Sequence, residues 1–156
     1  MQTLLQSIGA DFSYSPPHVP QMNRTSERLN RTLLNYARTM IIDSGLRKGI
    51  WAEAINYSAH LLNCVKFIES VGKTPFEIVT GHKPYLGLVV PFGSRCVFKN
   101  RKPGTDKLDE RGIDGAIVGI DEDGRSYRIL QLGTTIIHRV PDVTLKKPGQ
   151  IYESLA

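Results

Sequence analysis

No run in this sequence approaches the roughly 18 to 20 apolar residues that a membrane helix needs, so no membrane span is expected. The opening stretch, MQTLLQSIGADF, has no basic n-region and a broken apolar run, which argues against a signal peptide. Cysteine is scarce. Cys64 and Cys96 have neither the spacing of a metal site nor that of a redox motif. Both read as reduced, semi-buried residues of an intracellular protein. Internal repeats and low-complexity tracts are lacking. Asp121, Glu122 and Asp123 lack the ligand spacing of an EF-hand and, with Gly124, read as a hairpin turn. His18, His60, His82 and His138 are scattered and read as structural.

What remains is ordinary globular chemistry. The 156 residues are 40% hydrophobic and 22% charged, enough for one domain or two small ones. The net charge of +5 suits a polyanionic partner without identifying one.

Along the chain, Leu4, Leu5, Ile8 and Phe12 fit a helix end running into a short strand. Pro16, Pro17 and Pro20 impose an extended loop. Asn23 and Thr25 are candidate N-caps for a helix over residues 24–45, closed by Gly45. Its apolar positions Leu29, Leu33, Leu34, Ala37, Met40 and Ile41 share one face. A second helix fits 50–63, with Trp51, Ala54, Ile55, Ala59 and Leu62 inward and Trp51 as a core anchor. Burial of Leu33, Leu34, Met40, Trp51 and Ile55 is expected to hold the pair together. Residues 66–93 are punctuated by Gly and Pro and read as a connector, with one turn of helix at Pro75–Thr80. From 94 to 145 the pattern is β, with strands at 96–98, 115–120, 126–130 and 134–138. These read as a small barrel, separate from the helices, with 146–156 as a tail.

The segment from Pro20 to Leu34 carries the chemistry. Glu27 falls in the first turn of a helix, beside the Pro-rich loop, with Arg24, Arg28 and Arg31 at helical offsets. A carboxylate on a rigid helix edge among arginines could hold a divalent metal against a phosphate backbone. Spacing alone favours the plainer alternative, a solvated face with Glu–Arg ion pairs of little energetic weight.

That segment resembles the Pro-x-x-Asn-Gly-x-x-Glu-Arg-x-Asn-Arg-Thr-Leu-Leu signature of copia-type retrotransposon integrases. The resemblance continues in order through Ala37–Met40, Trp51–Ala54, Leu61–Asn63, Thr74–Glu77, Gly81–Pro84 and Phe92-Gly93. It ends through Lys107–Asp109, Val118–Ile120, Ser126–Arg128 and Pro141–Val143, and Gly9 and Tyr14–Pro16 fit the stretch before the signature. Each piece is short; the ordered set covers nearly the whole chain. Arg24 stands where the family has glycine, which alters the loop into the helix.

The resemblance implies an α+β chain: the helical C-terminal part of an RNase H-like integrase core over residues 1–65, then an SH3-like β domain over 94–145. It implies that Glu27 is the third member of an Asp, Asp, Glu set that binds Mg²⁺ or Mn²⁺ for strand transfer into DNA. The two Asp partners are expected upstream of Met1, and Asp11 reads as a loop or strand-end residue. Since two-metal catalysis needs several carboxylates, the chain is expected to be a truncated integrase, inactive by itself and binding no metal. Arg24, Arg28 and Arg31 are expected to contact DNA. So are Lys99, Arg101 and Lys102, in a second cluster with Arg95, Lys107 and Arg111 around Phe98. Binding is expected to be non-specific and salt-sensitive, since no recognition helix is evident. Self-association and a cytoplasmic and nuclear location complete the expectation. The alternative is a non-catalytic assembly module that binds protein or DNA.

Overall fold

The computed structural model describes residues 24–99, 112–121 and 124–146. Contacts divide the chain into two units, Met1–Thr32 and Leu33–Ala156. Helix α1, Arg24–Ser44, runs through that boundary. Thr25 lies inside the helix and is not its cap, and Asn23 lies outside the described residues. Gly45 ends the helix at φ +64°, a backbone conformation that costs glycine little. Ser44 Oγ donates to the Ile41 carbonyl and accepts from the Leu46 N–H, tying off the last turn.

A 3₁₀ turn, Lys48–Ile50, leads into α2, Trp51–Val65. Its buried residues Ala54, Tyr57, Ser58 and Cys64 recur at helical spacing. The Ser58 hydroxyl is satisfied by the Ala54 carbonyl at 2.7 Å, so its burial is not penalised. Trp51 is not a core anchor: it is 60% exposed, and Leu34 is 53% exposed. Both sit at the margin where α1 and α2 part. Ala37 is the residue that α1 buries, in the core that Ala54 and Tyr57 of α2 enter, with Met40, Ile41 and Ile55 packed against that core.

The connector is more ordered than its composition suggests. Helix α3, Pro75–Thr80, begins on a capping box: Glu77 N–H donates to Thr74 Oγ1, and Thr74 N–H donates to Glu77 Oε2 at 2.8 Å. That backbone bond, with a smaller contribution from the Lys83 and Lys73 charges, holds the Glu77 carboxyl below its usual range. Gly81 closes the turn at φ +74°.

Five strands follow: β1 Arg95–Lys99, β2 Gly112–Ile120, β3 Tyr127–Gln131, β4 Ile137–Val140 and β5 Thr144–Leu145. All pairings are antiparallel, in the order β4-β3-β2-β1-β5. The first four form a meander, and β5 returns to pair with β1. The sheet is therefore open among the described residues, with β4 and β5 as edges, and the expected closed barrel is not formed. The strand expected at 134–138 is displaced to 137–140. Thr134 Oγ1 donates to Gln131 O and accepts from Ile136 N–H, a local turn that competes with the ladder.

Both faces of the sheet are covered. Register pairs Ala116 with Leu130 on one face, and Val118 and Leu130 share a core with Ala37, Ala54, Tyr57 and Phe92 from the helical side. Cys96, Phe98, Ile117, Tyr127 and Ile129 occupy the other face, under Leu88, Val90 and Val143. A bulge between Ile117 and Gly119 lets β2 bend between the two. The β region thus does not stand apart from the helices, because α2 and β2 bury one common core. Each large side chain there contributes about 1.5–3 kcal/mol. Among the described residues, no helix is long and apolar enough to cross a membrane.

Candidate nucleic-acid interface

In the first turns of α1, Arg24, Glu27, Arg28 and Arg31 are all exposed. The offset from Arg24 to Glu27 is three and that from Glu27 to Arg31 is four, so these residues share one helical face. The Glu27 carboxylate also lies where the partial positive charge of a helix N-terminus favours it. The expected Glu–Arg ion pairs do not form: Glu27 and its three arginines make no salt bridge among the described residues. Their charges therefore face solvent, open to an external anion.

Among the described residues, no group of three His, Cys, Asp or Glu side chains lies close enough to hold an ion. Glu27 is a single exposed carboxylate among three cations. Two-metal chemistry needs several carboxylates in one place, and no metal-dependent step follows from these residues. Asp11 lies outside the described residues.

The second basic cluster is only partly described. Arg101, Lys102, Lys107 and Arg111 lie outside the described residues. In β1 the side chains alternate, with Arg95 half-buried, Lys99 exposed, and Cys96 and Phe98 buried. Phe98 therefore points away from Arg95 and Lys99. It packs in the core with its ring 5.0 Å from that of His138 and takes no part in a surface cluster. Lys99 keeps the exposure that a phosphate contact requires.

Three arrangements escaped the reading of the sequence. Glu53 on α2 takes a bidentate hydrogen bond from Arg128 on β3, with both contacts at 2.7 Å. Arg128 also approaches Asp121 at 3.6 Å, and Arg139 meets the same carboxylate at 2.5 Å. Glu53 above all holds the Arg128 guanidinium above its ordinary pKa. These cations serve the helix–sheet junction. The two ends of the pair lie in separate short matches, Trp51–Ala54 and Ser126–Arg128, and only the fold joins them. Second, the buried Tyr57 hydroxyl donates to Val90 O at 2.6 Å and accepts from Val90 N–H at 3.2 Å. Third, Gly93 has φ +84°, and a Cβ there would strike the Ser44 side chain at the end of α1. The Phe92-Gly93 pair thus marks a close approach in which Phe92 fills the core and Gly93 lets the backbone past.

Fold and site together define a class: an α+β chain in which helix α1 presents a carboxylate and arginines that are exposed and unpaired among the described residues. No family model matches the sequence. The chain is similar to segments of three curated plant proteins. It is 26% identical over 141 residues to the retrovirus-related Pol polyprotein from transposon TNT 1-94 of Nicotiana tabacum, covering 90% of this chain and 11% of that protein. It is 25% identical over 134 residues to the Pol polyprotein from transposon RE2 of Arabidopsis thaliana, covering 86% and 9%. Against transposon RE1 of the same plant the identity is 26% over 130 residues, covering 83% and 9%. The chain thus resembles a retrotransposon Pol region and spans about a tenth of these relatives' length.

Proposed function

We propose that this chain is the integrase-derived segment of a retrotransposon Pol protein that carries the third metal-site carboxylate, Glu27, and the β-rich unit after it. In this reading it grips DNA through its phosphates and lacks strand-transfer activity by itself. The observation that carries the reading is the solvent-facing set of Arg24, Arg28 and Arg31 around Glu27, unpaired among the described residues. The ordered integrase signature over the same residues and the similarity to Pol polyproteins support it. The strand order, with β5 returning to β1 beside a four-strand meander, supports an SH3-like arrangement left open at its edges.

The chemistry is positional. Arginines on one helix face meet successive phosphates, fix register and read no base. Glu27 would join a metal only beside carboxylates supplied from elsewhere. Mg²⁺ and Mn²⁺ are the ions this implies, and their role would be to polarise a phosphoryl oxygen and activate the attacking hydroxyl. Two assays test the reading. The 156-residue chain should show no strand transfer in Mg²⁺ or Mn²⁺. Transfer that Glu27→Gln abolishes would overturn the claim of inactivity. The chain should bind labelled duplex at low salt, and no binding would overturn the claim of DNA contact.

A non-catalytic assembly module is the second reading. A groove of about 560 Å³ between α1 and α2 favours it, with exposed Leu34, Ile42 and Trp51 along it and Arg38 and Lys48 beside them. Sedimentation discriminates: concentration-dependent association, lost on Trp51→Ala, would favour this reading.

A further inference from the structure

A concave site lies within the unit Leu33–Ala156. Between α2, α3, the segment around residues 82–88, and Ile120, Gly124 and Arg125 is a cavity of about 370 Å³. That is within the range of about 300–1,000 Å³ typical of small-ligand sites. Part of its lining is neutral. Cys64 Sγ lies 3.7 Å from His60 Nε2, and burial lowers the His60 pKa while raising that of the Cys64 thiol. Neither group carries charge at neutral pH, and the thiol is not activated as a nucleophile. Among the described residues, no three-ligand metal cluster forms here either. Positive charge enters from Lys83 and Arg125; Lys83 also acts through space on the Glu77 carboxylate, without a salt bridge among the described residues.

Two aromatic rings complete the lining. Phe76, on α3, is half-buried, whereas Tyr85 is 76% exposed. The Tyr85 ring lies over Gly87: a Cβ there would fall on its hydroxyl and ring, so the phenol end rests in the space this glycine leaves. The segment beyond is anchored by the bonds between Tyr57 and Val90. An exposed ring backed by glycine, next to a cation over an apolar hollow, fits a ligand with one flat aromatic face and one anionic group.

We propose that this cavity seats one unpaired nucleotide of a DNA strand, with its base on Tyr85 and Phe76 and its phosphate on Lys83. The proposal rests on the reading that the chain contacts DNA and adds a place where a base leaves the stack. Stacking on aromatic side chains tolerates any base, so the seat favours single-stranded over blunt duplex DNA without reading sequence.

The test uses the 156-residue chain with a single-stranded oligodeoxynucleotide carrying 5-iododeoxyuridine, a blunt duplex and free thymidine monophosphate. Photocrosslinking should map to Tyr85 or Phe76. Tyr85→Ala should weaken single-strand binding about 5- to 150-fold, the range for loss of one stacked base. Tyr85→Phe should restore it, and duplex binding should be unchanged in both variants. Unchanged single-strand affinity in Tyr85→Ala, with crosslinks elsewhere and duplex binding intact, would overturn the seat and leave the DNA reading standing. Binding of the mononucleotide without the oligonucleotide would overturn the claim that the ligand is a strand. Failure to bind either DNA would overturn both readings.

Discussion

Removing one oxygen from Tyr57 should loosen the segment that leads into the sheet. Tyr57 is 2% exposed, and its hydroxyl closes both hydrogen bonds of Val90. Tyr57→Phe keeps the ring, so its packing against Phe92 and the shared core is preserved. It leaves the Val90 carbonyl and N–H without their partner. An orphaned buried polar group costs about 1–3 kcal/mol. Val90 is half-buried, so water can compensate in part. The net loss should be about 2 kcal/mol, toward the low end for two such groups. At roughly 3 °C per kcal/mol for a chain of this size, the melting temperature should fall by about 6 °C. Urea melts followed by far-UV circular dichroism should show a lower midpoint with an unchanged slope. Amide exchange at Val90 should speed up before global unfolding. A variant within 0.5 kcal/mol of the parent (roughly the scatter of neutral surface changes), with Val90 protection intact, would refute the reasoning.

Glu53→Gln should cost about 1.5–3 kcal/mol, because it removes the charge that Arg128 grips in bidentate fashion; a thermal melt matching the parent would contradict this. Cys64 and Cys96 are both free and buried, and burial pushes the Cys96 thiol up to about 11. Both should therefore resist a disulfide reagent at pH 8 until the chain unfolds, and rapid native-state labelling of Cys96 would count against its placement. His60 has a lowered pKa from burial, so the unfolded chain binds its proton more readily. Its contribution to stability should be intact above the ordinary histidine value and lost as pH falls through that value toward the folded one. An NMR titration placing His60 at or above the ordinary value would contradict this.

Helical periodicity located α1 and α2 because each carries an apolar stripe. It could not say how wide the stripe is. Leu34 and Trp51 fall at its edge, and only the shared core shows that Ala37, a small residue, is what α1 buries. The α3 turn was legible from Pro75 and Gly81, which punctuate both ends. Strand β4 was misplaced because Thr134 and Gly133 serve a turn that their β-like neighbours conceal. The pairing of β5 with β1 joins residues far apart in sequence, and no local pattern carries it. At the candidate site, the helical offsets of Arg24, Glu27, Arg28 and Arg31 were readable directly. The burial of Phe98 required the register of β1, since a one-residue shift in a strand exchanges its two faces. Glu53 with Arg128 and Tyr57 with Val90 were invisible for the same reason as β5: they are tertiary pairs.

The central claim, that the Arg24–Arg31 face of α1 grips DNA phosphates, is tested most directly by the salt dependence of duplex binding. Anisotropy titrations of the parent chain and of the Arg28→Ala/Arg31→Ala variant should be run over a range of monovalent salt. The log–log slope should be negative for both. It should be shallower in the variant by about 1.8, two phosphate contacts at roughly 0.9 each, whatever the duplex sequence. Equal slopes for parent and variant would contradict the account, because the helix would then not be where the phosphates sit.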